Sequence, residues 1–330
     1  MSKYKPSNWH LLIIVAVILS NLSCAKSTKQ NNNEYGVLVL AHGSNNDSWD
    51  NSIHEVIKSV EDTYPTQVAF GMADPSTMQP AIDSLEQSGV KKIVVVQLFI
   101  SSHSPIIRQN EYLLGLRDSL ADAPMLMMHH TMVSKDELTN VETNSAHAEH
   151  GMDHNSDGDT ELKQLNINAK ILLTDPLDDH ALVAGILLDR INALSHNPAK
   201  ETILIVAHGP NGEQDNQNWV KSMENLANQI EIQAKEKNEY FKNIEYFTVR
   251  DDADADVYEK AKQHFRNAVI DANKDGEAIV IPLLLAQGGV EARYVKRLEG
   301  LTYKWSGETL LPHANISKFV ELAVHNAINN

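Results

Sequence analysis

Three histidines stand directly after apolar runs of the sequence. His42 and His208 each lie in an Ala-His-Gly triplet, and His103 follows a third apolar run. Neutral imidazole binds divalent Co, Ni, Fe and Zn, and its pKa also lets it accept protons near neutrality. A histidine in such a place could equally cap a loop, and a duplication would copy a structural residue as well. The residue types therefore indicate metal or acid-base chemistry, with a structural role as the alternative.

The segments around these histidines are repeated along the chain. Val37–Ser44 resembles Ile203–Pro210, and Leu98–Leu116 aligns without a gap on Leu283–Leu301. A third matched pair, each followed by an amphipathic helix, is Pro176–His180 and Leu311–Asn315. Matches in the same order, with insertions between them, predict two related units with a cleft between them. The repeat is too long for a solenoid period.

Strand and helix patterns alternate through both halves. The predicted strands are 35–41, 67–72, 92–100 and 169–174, then 202–207, 244–249, 278–285 and 309–311. The predicted helices are 49–63, 77–87, 107–120 and 181–193, then 219–236, 256–272, 292–298 and 316–328. This alternation predicts an α/β fold of two similar doubly wound domains, each with a roughly four-stranded parallel sheet. Sites in such sheets lie beyond the carboxyl ends of the strands, where His42 and His103 fall. The first and third strands can be neighbours, so these two histidines could face one another.

Length and charge narrow the classes of protein. The chain has 330 residues, enough for two domains, predicted here at 35–196 and 197–330. A hydrophobic content of 42% and a charged content of 22% are those of a soluble globular protein. The net charge of -16 argues against nucleic acid as a partner, because phosphate binding needs Lys and Arg. It is compatible with cationic partners such as metal ions.

The N-terminus has the features of an export signal. Lys3 and Lys5 precede the apolar run Leu11–Leu19, which as a helix of about 14 Å is too short for a bilayer core of roughly 30 Å. Residues 1–24 therefore read as a signal peptide that ends at the only cysteine, Cys24, with a polar tether at 25–34. The arrangement resembles a bacterial lipoprotein site, although Asn21 stands where Leu is usual.

We expect lipidation of Cys24, attachment to a membrane through the lipid alone, and a periplasmic or outer-surface location. The alternative is a secreted protein with a spare thiol. In either case the globular part would lie outside the cytoplasm and have no disulfide.

A polar, acidic segment at about 133–165 interrupts the first half. It carries His147, His150 and His154, which would share one face if the segment were helical. Such a mixture of histidines and carboxylates can hold a divalent transition metal at modest affinity. The alternative is a solvated loop whose histidines occur by chance. We therefore treat the three histidines as accessory metal ligands only.

Other candidates have weaker support. His180 and His313 occupy equivalent places before the last helix of each half and could either line the cleft or begin a helix. Ser44 and His208 are further cleft-lining candidates, but no nucleophile-elbow motif supports a hydrolase. The acidic run 251–256 lacks the Gly and Glu of an EF-hand and reads as a solvated helix start. No phosphate-binding glycine fingerprint is present, so no nucleotide cofactor is expected.

The ordered motifs resemble those of the class II chelatases, the CbiX-type sirohydrochlorin cobalto- and ferrochelatases. The motifs are Ala-His-Gly-Ser at 41–44, Ala-Asp-Pro-Ser at 73–76, Leu-Phe-Ile-Ser-Ser-His at 98–103 and Leu-Leu-Pro-His at 310–313. The resemblance implies two α/β domains with an open cleft that holds a tetrapyrrole. It also implies a histidine pair that binds the incoming divalent metal (Co²⁺, Fe²⁺ or Ni²⁺) and helps to remove the pyrrole protons.

Carried over to this sequence, the resemblance assigns His42 to the first of those histidines. The other usually ends a Pro-x-x-Leu-x-x-Gly-x-His pattern, which 282–290 keeps except for Val290 in the final place. We therefore expect one working pair, His42 with His103, and one degenerate copy. The implied activity is insertion of a divalent metal into a tetrapyrrole such as sirohydrochlorin. The alternative is a lipoprotein that binds metal or tetrapyrrole without catalysis, which Val290 and the His-rich insertion favour.

Overall fold

The computed structural model describes residues 34–43, 47–120 and 162–329, which all belong to one compact unit, residues 33–330. The predicted signal peptide with Cys24, Ser44, and the histidines His147, His150 and His154 lie outside the described residues. Among the helices in the described ranges, none is both long and apolar enough to cross a membrane.

The first half forms a four-stranded parallel sheet in the order β2-β1-β3-β4. Its strands are β1 (Tyr35–Ala41), β2 (Thr66–Phe70), β3 (Lys92–Leu98) and β4 (Lys170–Leu173). Its helices are α1 (Asp47–Glu61), α2 (Pro75–Gln87), α3 (Pro105–Leu113) and α4 (Ala181–Leu194). β1 is apolar and buried along most of its length, as a central parallel strand with both faces covered must be.

The second half repeats this arrangement with one strand fewer. Its sheet has the order β6-β5-β7, which corresponds to β2-β1-β3 of the first half. The strands are β5 (Glu201–Ala207), β6 (Asn243–Thr248) and β7 (Glu277–Leu283). The helices are α5 (Glu213–Glu236), α6 (Ala255–Ala272), α7 (Val290–Arg297) and α8 (Ala314–Asn329). The predicted α/β fold with two parallel sheets is confirmed, while the second sheet has three strands where about four were predicted.

The predicted strand 309–311 is wrong. In place of a fourth strand, a single β-bridge joins Ile279 and Lys304. The Lys304 N–H donates to the Ala278 carbonyl oxygen, and the Lys304 carbonyl oxygen accepts from the Val280 N–H. The chain then turns through Gly307 with φ +73°, so pairing cannot continue. The backbone of 310–311 instead donates to the carbonyl oxygens of 284–285, beyond the end of β7.

Several other boundaries differ from the sequence patterns, three of them for a visible reason. Gly71 (φ +142°) ends β2 and Gly115 (φ +72°) follows the end of α3, so both elements are shorter than predicted. α5 begins earlier than predicted, at Glu213, although its first turns lack apolar spacing. Glu213 and Asp215 lie in that first turn, where negative side chains are favoured by the helix dipole.

The two halves exchange their last helices. α4 follows the first sheet but packs against α5 and β7, and α8 follows the second sheet but packs against α1 and β3. The largest apolar cluster accordingly combines residues of both sheets, including Val39 and Val96 from the first and Ile205 from the second. A smaller cluster covers the outer face of each sheet. The domain boundaries 35–196 and 197–330 stay a sequence-based prediction.

Candidate functional site

Two Ala-His-Gly loops leave the carboxyl ends of the central strands in the same way. His42 follows β1, and its Nδ1 lies 2.7 Å from the Gly43 carbonyl oxygen. His208 follows β5, and its Nδ1 lies 2.9 Å from the Gly209 carbonyl oxygen. A carbonyl oxygen can only accept, so Nδ1 carries the hydrogen in both rings. Nε2 is therefore the nitrogen that carries the lone pair when either ring is neutral.

The glycine of each triplet lets the loop pass close to the neighbouring strand. A Cβ at Gly43 would lie 3.2 Å from Cβ of Phe70, the last residue of β2. A Cβ at Gly209 would lie only 2.4 Å from Cβ of Thr248, the last residue of β6, and Gly209 has φ +76°. The tight turn after each histidine thus needs glycine, more strictly in the second half.

The predicted adjacency of the first and third strands is confirmed. Ala41 pairs with Leu98 in the β1–β3 register, so the loop of His42 and the loop of His103 leave the sheet side by side. The loop of His103 is held from its own half, since the Ser102 backbone N–H donates to Asp178 Oδ1 at 2.8 Å. The role of His42 and His103 as a ligand pair stays a prediction.

An aromatic residue connects His42 with the second half. The rings of His42 and Trp49 lie 6.1 Å apart. A Cβ at Gly288 would lie 3.3 Å from the same Trp49 ring, so the Gly288 loop packs on it. Val290, two residues further, packs against the outer apolar cluster of the second sheet. The position where the family pattern has a histidine thus contributes here to an apolar core.

His103 is also held from the second half. The Trp219 Nε1–H donates to the His103 carbonyl oxygen at 2.7 Å. Arg108 in α3 forms a two-pronged ion pair with Asp215 in α5, with N···O distances of 3.1 and 2.8 Å. Neither Trp219, Arg108 nor Asp215 was selected from the sequence. The only signal was the alignment of the two halves, which places Trp219 after the second Ala-His-Gly as Trp49 follows the first.

The second histidine is engaged by a carboxylate. His208 Nε2 lies 3.1 Å from Asp252 Oδ2, and Arg293 lies 3.8 Å from the other carboxylate oxygen of Asp252. Burial alone would lower the pKa of His208, but the hydrogen bond and charge of Asp252 outweigh burial and raise that pKa. Both ring nitrogens therefore have an acceptor within hydrogen-bonding distance, and Nε2 is occupied by the Asp252 carboxylate.

A buried ion pair lies next to His208. Arg297 pairs with Asp251, donates to the Val249 carbonyl oxygen at 2.8 Å and lies 4.1 Å from the ring centre of Tyr258. The Asp251 side chain is 2% exposed, so interpreting the acidic run 251–256 as solvated is wrong for this residue. Burial raises the pKa of Asp251, although the charges of Arg297 and His208 oppose the shift.

His180 and His313 begin the two exchanged helices. His180 Nδ1 accepts from the Leu182 N–H at 3.2 Å, and His313 Nδ1 accepts from the Asn315 N–H at 3.1 Å. Burial lowers the pKa of His180, while the charge of Asp179 opposes the shift. Each imidazole therefore acts as a helix cap, the helix-start alternative. A further role in lining a cleft stays a prediction.

Within the three described ranges, no three His, Cys, Asp or Glu side chains come close enough together to hold a metal ion. A recess of about 440 Å³ lies at the amino ends of the second sheet, lined by residues 192, 195–199 and 238–240. That edge is opposite the one from which the histidine loops leave. The recess is therefore separate from the histidine site.

The comparisons with known proteins concern the fold and one segment of the first half. The sequence profile of the CbiX family matches residues 36–106, a segment that contains both His42 and His103. The sirohydrochlorin chelatase SirB from Bacillus subtilis subspecies spizizenii, in complex with cobalt, has a TM-score of 0.53 and 11% identity over 90% of this chain and 96% of its own. SirB from Bacillus subtilis with Fe³⁺ has a TM-score of 0.54 and 12% identity over 89% and 95%. No curated protein matches the sequence. The chain has the fold of these sirohydrochlorin chelatases, and its residues 36–106 resemble the CbiX family.

Proposed function

We propose that this protein is an exported metal chelatase that inserts a divalent metal, Co²⁺ or Fe²⁺, into a tetrapyrrole such as sirohydrochlorin. The observation that supports it most is the position of the CbiX match. That segment, residues 36–106, contains both proposed site histidines and the two neighbouring strands whose loops carry them. Of the solved structures with this fold, one SirB chain holds cobalt and another Fe³⁺.

Insertion of a divalent metal requires a loosely held metal ion and a base. Two pyrrole N–H bonds break, two metal–nitrogen bonds form in their place, and two protons leave. In His42 the bond from Nδ1–H to the Gly43 oxygen places the ring lone pair on Nε2, the form that binds a metal or takes a proton. His103, on the adjacent loop, supplies the second imidazole. The two residues together would provide both the ligand and the proton acceptor.

Two observations in the second half favour a single metal site in the molecule over one site in each half. Nε2 of His208 is occupied by the Asp252 carboxylate, and the half-buried Val290 packs against an apolar cluster. His208 would therefore form part of the opposite wall without binding the metal. The same two observations support the second candidate function, a protein that binds metal or tetrapyrrole without inserting one into the other.

One assay separates the two functions. Purified protein is mixed with Co²⁺ or Fe²⁺ and sirohydrochlorin, and metal insertion is followed by absorbance against the spontaneous reaction. We expect a rate well above background that His42→Ala abolishes. Tight binding of the metal or the macrocycle with only background insertion would contradict the enzyme and support the binding protein.

We also propose export with lipidation at Cys24, on the basis of the short apolar run, the lone cysteine and the polar tether. Mass spectrometry of the mature protein should find an N-terminus at Cys24 carrying acyl chains. A retained Met1, or an unmodified Cys24, would remove the anchor. The accessory metal role of His147, His150 and His154 is tested by deleting 141–161, which should reduce activity only when metal is scarce.

A further inference from the structure

The backbone of His103 is fixed at both of its hydrogen-bonding groups. Its N–H donates to Ser101 Oγ at 3.2 Å, within its own loop. Its carbonyl oxygen accepts from Trp219 Nε1 at 2.7 Å, and Trp219 belongs to the second half. A histidine that acts in metal transfer must be held in a defined place by partners outside the ligand set, and here those partners hold its backbone. For His103 the partner on the carbonyl side comes from the other half of the molecule.

A second contact joins the same two segments. Asp215 stands four residues before Trp219 in α5, so both side chains project from one face of that helix. Asp215 binds Arg108 through two parallel N···O contacts, and the exposed fractions of the Arg108 and Asp215 side chains are 23% and 17%. A paired Arg–carboxylate contact with little exposure fixes geometry better than a surface ion pair. One face of α5 therefore holds both the loop of His103 and the helix that follows it.

The start of α5 is itself anchored in the second half. Arg250 donates to Glu213 Oε2 at 3.1 Å and to the Asn211 carbonyl oxygen at 2.6 Å. Thr248, at the end of β6, donates to Asn216. The loop after His208 thus leads into a helix end that is fixed on one side and holds the loop of His103 on the other.

We infer that Trp219 and Asp215 are positioning residues for His103, so that the second half orients a site histidine of the first. This inference rests on the proposed function, because it assumes that His103 takes part in metal handling. It gives the degenerate half a role that does not require His208 to bind metal. The contacts to the first half are made by the first helix of the second half, and His208 itself makes none of them.

The test measures Co²⁺ binding to the full-length protein by calorimetry and by the visible absorption bands of bound Co²⁺. Trp219→Phe keeps an aromatic ring but removes the N–H. We expect the affinity for Co²⁺ to fall by about 10-fold or more and the absorption bands of bound Co²⁺ to change. Trp305→Phe is the matched control, because Trp305 packs on the outer face of the second sheet. Asp215→Asn should weaken binding in the same direction, and it provides a second variant if Trp219→Phe does not fold.

The His103→Ala background decides whether these residues act through His103. There Trp219→Phe should cause no further loss. An equal loss in both backgrounds, or no loss in either, would overturn the inference. If His103→Ala alone binds Co²⁺ as the unaltered protein does, His103 is not a ligand. In that case the proposed site fails as well, an outcome distinct from the loss of the positioning role alone.

Discussion

The loop of His42 and the loop of His208 share one backbone arrangement and differ in what their imidazoles contact. In both, Nδ1 donates to the carbonyl oxygen of the following glycine. The rings of His42 and Trp49 lie 6.1 Å apart, and Nε2 of His208 lies 3.1 Å from the Asp252 carboxylate. The duplicated motif has therefore kept its backbone geometry in both halves, and in the second half a carboxylate engages the imidazole.

The carboxylate at His208 belongs to the residues that follow the neighbouring strand. After β6 the chain continues to Asp251 and Asp252, and both face the second histidine or its surroundings. After β2 the chain continues to Asp74, whose carboxylate accepts from the Ser76 N–H at 2.8 Å and caps α2. An acidic residue after the neighbouring strand thus serves a helix end in one half and a histidine in the other. The Ala-His-Gly motif alone therefore does not determine what the second histidine contacts.

The largest expected effect is the contrast between the two histidines in the insertion assay. His42→Ala should lower the rate by roughly 10²- to 10⁴-fold, because an acid-base group is lost. His208→Ala should leave at least about a third of the rate. The imidazole already pairs with Asp252, so its loss should affect only the local structure. Unfolding curves of both variants control for stability. Equal losses in the two variants would mean that the halves share the chemistry.

The amino ends of the two sheets allow a comparison of stability. Glu201 begins β5 with a fully buried side chain. It accepts from Ser195, His196, Asn197 and Lys304, and these bonds outweigh burial and lower its pKa to about 2. Glu201→Gln should lower the free energy of unfolding by about 3 kcal/mol at pH 7. Because the pKa is depressed, this contribution is present above about pH 4.5 and is lost as the pH falls towards 2.

The matched variant is Glu34→Gln, next to the start of β1. Glu34 pairs with Lys92 at 2.7 Å, but its side chain is 59% exposed, so the loss should stay below about 1 kcal/mol. Urea denaturation at pH 7 and at pH 3 measures both. A cost for Glu201→Gln that is the same at the two pH values would contradict the assigned cause.

Substituting the glycine that follows each histidine should also cost more stability in the second half than in the first. Gly209→Ala places a Cβ against Thr248 at positive φ and should cost about 2 kcal/mol of unfolding free energy. Gly43→Ala has only a tight contact with Phe70, so we expect less than about 1 kcal/mol. Thermal unfolding of both variants provides the measurement. If Gly43→Ala were the more damaging substitution, the two loops would not have the geometry described.

Much of this molecule could be predicted from its sequence. The strand-helix order and the adjacency of β1 and β3 follow from apolar runs and from the repeat, which report burial directly. The weak points were segments whose structure depends on distant partners. The first turns of α5 carry no apolar spacing, so neither the early start of the helix nor the contacts of Asp215 and Trp219 could be foreseen.

The second histidine shows the same limit at the level of the site. The motif around His208 matches that around His42, and the acidic run at 251–256 reads as solvent-exposed by composition alone. Only the fold brings Asp252 to Nε2 of His208 and buries Asp251 against Arg297. A contact between residues so far apart in the chain leaves no pattern in a single sequence.

The smallest expected effect is a shift in the pKa of His208. The pKa of His208 should lie above its ordinary value of 6.5 in an NMR titration of the ring protons. Asp252→Asn should lower it, because burial then acts without a compensating charge. Because the folded pKa is raised, the stabilisation by the Asp252 pair is complete below pH 6.5 and is lost as the pH rises through the folded value.

The free energy of unfolding of Asp252→Asn should therefore approach that of the unaltered protein as the pH rises. Asp189→Asn is the matched control. It removes the carboxylate that lies 3.2 Å from His313, and it should leave the titration of His208 unchanged. A His208 that titrates below 6.5 in the unaltered protein would show a neutral imidazole able to bind metal. In that case His208 would no longer support the view that the second half is a degenerate copy, and Val290 would be the remaining observation in its favour.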